Sequence, residues 1–240
     1  MQEKLAIKED KDMKRKYSLV KGSSRVLILL IGLTIAHLGV TLFLLSKLGS
    51  DPYNVFVQGI FRTLQKSLSL PFITHGYTHI LISFLVILVL LITDRSYIKL
   101  GTVLCMVFGG PIIDFFTYLL GGIIHEALPV GIRILISIVG CVILAYGMTI
   151  VIKSEAGTGP NDLIAIVISD KLHKKFSIIR ILVDITFVTC GYLLGGIFGL
   201  GTLLCAFLVG PVAGIFLPGN ERLIGRINAS IEKRIVRKGI

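Results

Sequence analysis

Gly157-Thr158-Gly159-Pro160-Asn161-Asp162 decides how this chain reads, because Gly49-Ser50-Asp51-Pro52-Tyr53-Asn54 follows the same plan earlier on. Each stretch separates a long apolar run from a short one. A second pair of motifs follows in the same order. Gly101-Thr102-Val103-Leu104-Cys105 with Gly110-Pro111 reappears as Gly201-Thr202-Leu203-Leu204-Cys205 with Gly210-Pro211. Two internal repeats, each interrupted by Gly/Pro at matching positions, form the pattern of a secondary-type transporter whose ligand site lies between the repeats.

Working outward, the chain has 240 residues, 54% of them hydrophobic, and a mean hydropathy of +0.87. A soluble domain of this length could not bury so much apolar surface. Several uncharged runs are long enough to cross a bilayer, so the fold class is an all-α polytopic membrane protein. Residues 1–25 are highly charged, with no apolar core before Val26, and do not read as a cleavable signal peptide. Trp is absent, which weakens the usual interfacial aromatic belt.

The net charge of +11 matters less than its placement. Of 25 Lys and Arg, eight lie within residues 1–25 and six after Pro218. Basic flanks stay on the cytoplasmic side, so both termini are expected there, after an even number of crossings. These charges sit at membrane edges, where they suit anionic lipid; no nucleic-acid partner is expected. Cys105, Cys141, Cys190 and Cys205 all fall in apolar segments without a CxxC spacing, and read as packing residues.

Residues 1–25 are read as a basic, mobile tail, 26–120 as membrane repeat 1, 121–130 as a connector, 131–217 as membrane repeat 2, and 218–240 as a basic amphipathic helix on the membrane surface. The spans are expected near 26–46, 72–92, 100–120, 132–152, 177–194 and 198–217. The short stretches 55–61 and 163–169 offer roughly 10–14 usable residues, where a crossing needs about 20. Six transmembrane helices plus two short half-helices is therefore preferred, with inverted repeats. Eight spans with parallel repeats is the alternative.

The run 157–162, the Lys-rich turn after it, Arg180 and Asp184, and the segment 195–211 resemble the YitT/YczE-like bacterial integral membrane proteins. The resemblance extends from about Val26 to Leu217 and is most specific in the second half. The first half departs, with an aromatic residue after its proline and an insertion around residues 67–73. The resemblance implies a bacterial inner-membrane protein and a small-molecule permease, but supplies no substrate and no catalytic residue.

Site residues must then come from physical argument. Glycine permits unusual backbone shapes, proline suits a helix's first turn, and Asp51 or Thr158 could cap the helices beginning at Pro52 and Pro160. Asp51, Asn54, Asn161 and Asp162 are thereby placed near helix starts. An ionisable residue in hydrocarbon costs roughly 2.5–3.5 kcal/mol on insertion scales, so those in the spans should face the bundle interior or water. Asp114 stands one turn after Pro111, with Gly214 at the same offset in the second half. Arg180 and Asp184, four apart, can pair on one helix face. These seven residues are the candidate substrate-binding set. His75 and His79 share the same spacing and are candidates for proton coupling; a third metal ligand is missing, so no metal is assigned. His37 reads as a hydrogen-bonded packing histidine.

No nucleophile–base pair, paired-carboxylate constellation or nucleotide-binding motif appears, so no catalytic residue, enzyme activity or cofactor is assigned. The leading reading is a small-molecule permease in contact with lipid, either as a homo-oligomer or with a partner ATPase. The alternative is a non-transporting membrane scaffold or assembly factor, which predicts a core filled with side chains.

Overall fold

In hydrocarbon, a chain can satisfy its backbone N–H and C=O groups within one segment only by forming helix. The computed structural model describes residues 2–68 and 73–237, and these form helices with no strand among them. The order is α1 (Gln2–Ser46), α2 (Pro52–Leu68), α3 (His75–Thr93), a short 3-10 turn (Arg95–Tyr97), α4 (Leu100–Leu120), α5 (Val130–Lys153), α6 (Pro160–Leu172), α7 (Phe176–Leu193) and α8 (Leu200–Arg237). Five helices carry stretches long and apolar enough to cross a membrane: Ser18–Ser46, His75–Thr93, Leu100–Leu120, Val130–Lys153 and Leu200–Ile231. The 18-residue α7 is the sixth long helix.

Contacts between the helix ends give the topology. At one end, Arg25 pairs with Glu155, Lys153 Nζ lies 2.8 Å from Glu221, and the Tyr97 hydroxyl donates to Asp170 at 2.8 Å. Ile28, Ile150 and Ile224 pack together there. The start of the α1 span and the Glu221 region of α8 thus meet at one end, beside Lys171, whose Nζ donates to the Thr93 carbonyl. At the opposite end, Arg133 Nε donates to the Ser46 carbonyl at 2.6 Å, and Lys47 Nζ lies 4.0 Å from Glu126. Six helices run between these ends.

The two short helices do not. Gln58, Arg62 and Thr63 of α2 all bond the turn at residues 194–197, the end where its preceding turn also lies. Likewise α6 follows a turn docked on Gly101 and ends with Asp170 beside Tyr97, again at one end. Six long helices and two short ones is the set expected from their lengths, and five of the long ones carry candidate membrane spans.

Two boundaries read from the sequence are not helix ends. Helix α8 continues through Pro211 and Pro218, held to α5 by Asn220 Nδ2 donating to Thr149 Oγ1 at 2.6 Å. The N-terminal tail is likewise helical from Gln2, continuous with the first span.

Helix α1 lies on α5 with backbones in contact. A side chain at Gly39 would begin 2.5 Å from the Leu144 nitrogen, and one at Gly147 would begin 2.7 Å from the Gly32 carbonyl and 2.7 Å from the Ala36 Cα. Small residues give this close approach where lipid supplies no hydrophobic driving force. Hydroxyls in the helices bond back to their own turn, as Thr34 does to Leu30 and Thr41 to His37. Tyr118, Ile92, Leu193 and Phe207 are exposed, as expected of a lipid-facing surface.

The turns before α2 and α6 are built alike. Ser46 and Ser154 each donate to a carbonyl three residues earlier and accept from the backbone two residues later. Lys47 and Glu155 take left-handed φ values of 56° and 57°, and Gly49 and Gly157 have φ of 106° and 145°. Each turn docks on the other half of the chain. Gly201 N–H donates to the Leu48 carbonyl at 2.7 Å, and Gly101 N–H to the Ala156 carbonyl at 3.0 Å. A side chain at Gly49 would strike Thr202, and one at Gly157 would strike Thr102, so glycine is required at both.

Candidate functional site

The start of α2 is organised by Asp51. Its carboxylate accepts the Asn54 N–H at 3.2 Å, which caps the helix, and also accepts from Asn54 Nδ2 at 2.8 Å and Ser50 Oγ at 3.2 Å. With its amide nitrogen so engaged, Asn54 turns its Oδ1 to His75 Nε2 at 3.0 Å. Tyr53, between them in sequence, shares a 2.8 Å hydrogen bond with Ser83 and sets its ring edge against His79, centroids 5.4 Å apart. His37 stands on the far side of His79 at 5.6 Å and donates from Nδ1 to the Leu33 carbonyl.

The start of α6 differs. The expected cap at Thr158 is corrected: Gly159 occupies the capping position, because Pro160 is the first helical residue, and no side chain caps this helix. Asp162, the third residue of α6, instead pairs with Arg180 on α7. Arg180 Nε also lies 3.0 Å from Asp184, the i,i+4 partner expected from the spacing, and Asn161 Nδ2 donates to Asp162 at 3.1 Å. Side-chain exposures of 30%, 24% and 28% for Arg180, Asp162 and Asp184 make this a partly open ionic cluster.

Asp114 stands apart from this cluster. It accepts from Thr74 Oγ1 at 2.5 Å and from the Gly76 N–H at 3.0 Å, fastening α4 to the first turn of α3. Its observed contacts are those of a helix clamp. The gap bordered by Phe43, Ser50 and Gln58 is too small for a small-molecule ligand, whose pockets run to about 300–1,000 Å³. Among the described residues, no group of three or more His, Cys, Asp or Glu could hold a metal ion, and Cys105, Cys141, Cys190 and Cys205 are all free thiols.

The structure therefore joins Asp51, Asn54 and His75 in one chain of hydrogen bonds, and Asn161, Asp162, Arg180 and Asp184 in another. Sequence reasoning missed Tyr53, Ser83, Thr74 and the nearness of His37 to His79. Tyr53 lay inside the decisive motif, but its partner is thirty residues away on another helix.

Residues 23–218 match the model of a family described as a family of unknown function (DUF6198), and the chain belongs to that family. It is 31% identical over 196 residues to an uncharacterized protein of Haemophilus influenzae, covering 82% of this chain and 84% of that one. It is 29% identical over 194 residues to the uncharacterized membrane protein YczE of Bacillus subtilis, covering 80% and 85% of the two chains. The uncharacterized protein YyaS of Bacillus subtilis is 28% identical over 193 residues, covering 80% and 92%. No solved structure matches.

Proposed function

We propose, with membership of this family as the premise, that the protein is a secondary-type transporter of a small molecule in the bacterial cell membrane. In this reading the chain is a duplicated bundle, and the site lies where the two half-helices begin. The observation that carries the reading is the ionic cluster of Arg180 with Asp162 and Asp184. Charged groups among spanning helices are expensive and usually mark a substrate or ion path. The charge balance narrows the substrate class. Two carboxylates, Asp162 and Asp184, pair with one guanidinium, so a ligand bearing an amine or another cationic group, including a zwitterion, completes the balance better than a simple anion. In this reading, access alternates by movement of one half against the other. Arg25, Lys153 and Lys171 mark the end that the positive-inside rule assigns to the cytoplasm, together with both chain termini, and that end suits anionic lipid.

The narrow gap beside Ser50 favours a second reading, a non-transporting scaffold. A thermal-shift screen of the purified protein against amines, amino acids and organic acids separates the two, since a ligand that binds only the folded form raises its melting temperature. The transport reading expects a cationic or zwitterionic hit that is taken up into proteoliposomes and lost in Asp184→Asn. A protein that melts unchanged throughout and moves no hit across a bilayer supports the scaffold.

A further inference from the structure

The two half-helices end in seams of different make. Aligning Ser46 with Ser154 and Gly49 with Gly157 sets Gly59 opposite Val167, Arg62 opposite Asp170 and Thr63 opposite Lys171. Helix α2 meets the end of α7 and the turn after it backbone to backbone. A side chain at Gly59 would strike the Gly191 carbonyl, and one at Gly196 would strike the Val55 carbonyl. Bonds to the main chain reinforce this seam. Gln58 Oε1 accepts the Ile197 N–H at 2.7 Å, Arg62 donates to the Gly195 carbonyl at 3.0 Å, and Thr63 donates to the Leu194 carbonyl at 3.0 Å. Phe56 stacks on Phe187, centroids 5.5 Å apart. At the other end of the bundle, Val167 stands where α2 has glycine, and α6 meets α3 through the side chains of Leu90, Leu163 and Val167, with Tyr97 and Ile98 against them. Asp170 is exposed and accepts from the Tyr97 hydroxyl at 2.8 Å; Lys171, also exposed, reaches the Thr93 carbonyl at 3.4 Å. Ser169 spends its hydroxyl on its own helix end, donating to the Lys174 carbonyl at 2.8 Å.

A seam of close backbone contact cannot part without losing its packing and leaving main-chain groups unpaired. A seam closed by exposed polar side chains parts at little cost, because water replaces what those contacts supply. We infer that α6 is a gate: its start is the pivot, and its far end swings off α3 along the seam of Leu90, Leu163 and Val167. The pivot is fixed by the Gly101 N–H on the Ala156 carbonyl and by Arg180 on Asp162. The swing parts Tyr97 from Asp170 and Lys171 from Thr93, and admits water to Leu163 from the end that carries Arg25 and Lys153. The α2 seam at the opposite end stays shut meanwhile. The motion follows from these contacts alone; its role as the gate of a permease rests on the transport reading.

Hydrogen–deuterium exchange of the full chain in lipid nanodiscs, read by mass spectrometry, tests this on the wild type. Amides of residues 163–171 should exchange about tenfold faster or more than those of 55–63, the equivalent stretch of α2, because protection is lowest where contacts are weak. Asp170→Ala removes the Tyr97 contact at an exposed position and should speed exchange in α6 by about threefold or more, with α2 unchanged. Arg62→Ala, the matching change in α2, should leave exchange there within about twofold of the wild type. Equal protection of the two stretches, or faster exchange in α2, would overturn the inference. So would an Asp170→Ala protein whose α6 exchanges like the wild type, or an Arg62→Ala change that opens α2 as far. The wild-type comparison decides even if a variant fails to fold. Uptake is a separate measurement: a protein that opens at α6 and carries no substrate breaks the transport reading alone.

Discussion

The two halves of the chain make one contact with different chemistry and place their second lock differently. In the first half, Asn54, third in α2, is bonded to His75 at the start of α3, a neutral pair. In the second, Asp162, third in α6, is paired with Arg180 in the second turn of α7, an ionic one. Asp114 then fastens α4 to α3, and a side chain at Gly110 would run into the Gly76 carbonyl. At the same offsets in α8, Gly210 and Gly214 have nothing within 4 Å of where a side chain would start. Shared Gly/Pro signals place the backbone in both halves, and the unshared side chains choose which neighbour each helix is locked to.

The comparison is tested hardest at its charged contact. Arg180→Gln leaves Asp162 and Asp184 without a partner in partly buried positions, and should destabilise by about 3 kcal/mol, the low end for breaking a buried pair. His75→Gln, at the neutral contact, should lose about 1 kcal/mol. Unfolding of both variants in lipid bicelles measures the difference. Equal losses would mean that the ionic contact has no special weight.

Next comes the helix–helix contact itself. Gly110→Leu forces a side chain into the Gly76 backbone and should destabilise by about 2–3 kcal/mol. Gly210→Leu points into open space on α8 and should stay within about 0.5 kcal/mol. If Gly210→Leu is as damaging as Gly110→Leu, the α8 face is covered in the folded state. Asp114→Ala removes the acceptor for Thr74 and Gly76, and should lose about 1–3 kcal/mol without altering any ligand response.

How much of this was readable beforehand depends on sequence distance. Arg180 and Asp184 were legible because four residues on one helix define a geometry without knowledge of the fold. The half-helices were legible because their length is too short for a bilayer. Asp162 with Arg180, and His37 with His79, were not, because each pair joins different helices whose rotation no local pattern specifies. Thr158 misled because capping residues are recognised by type, while the position is set by where helical geometry begins, one residue later at Gly159. The continuation of α8 past Pro218 was hidden because the change from apolar to amphipathic sequence resembles a helix boundary. Packing of Ile224 and bonding of Asn220 against α5 hold that part of the helix to its neighbour.

The smallest effect concerns the caps. Asp51→Gly copies the second half into the first, and should lose about 1 kcal/mol of cap energy. Gly159→Asp makes the reverse change. Its backbone, φ −62° and ψ 152°, accepts any residue, but the new side chain would begin 2.6 Å from Asn161 Oδ1, so Asn161 must turn aside. The gain should therefore stay below about 1 kcal/mol. Asp51→Asn separates the two roles of this residue. Asn caps a helix as well as Asp does, so the melting temperature should hold while the negative charge at the start of α2 is gone. If Asp51 is there for the helix, that variant responds to a cationic ligand like the wild type. If it is there for the charge, the ligand response falls while the fold remains intact.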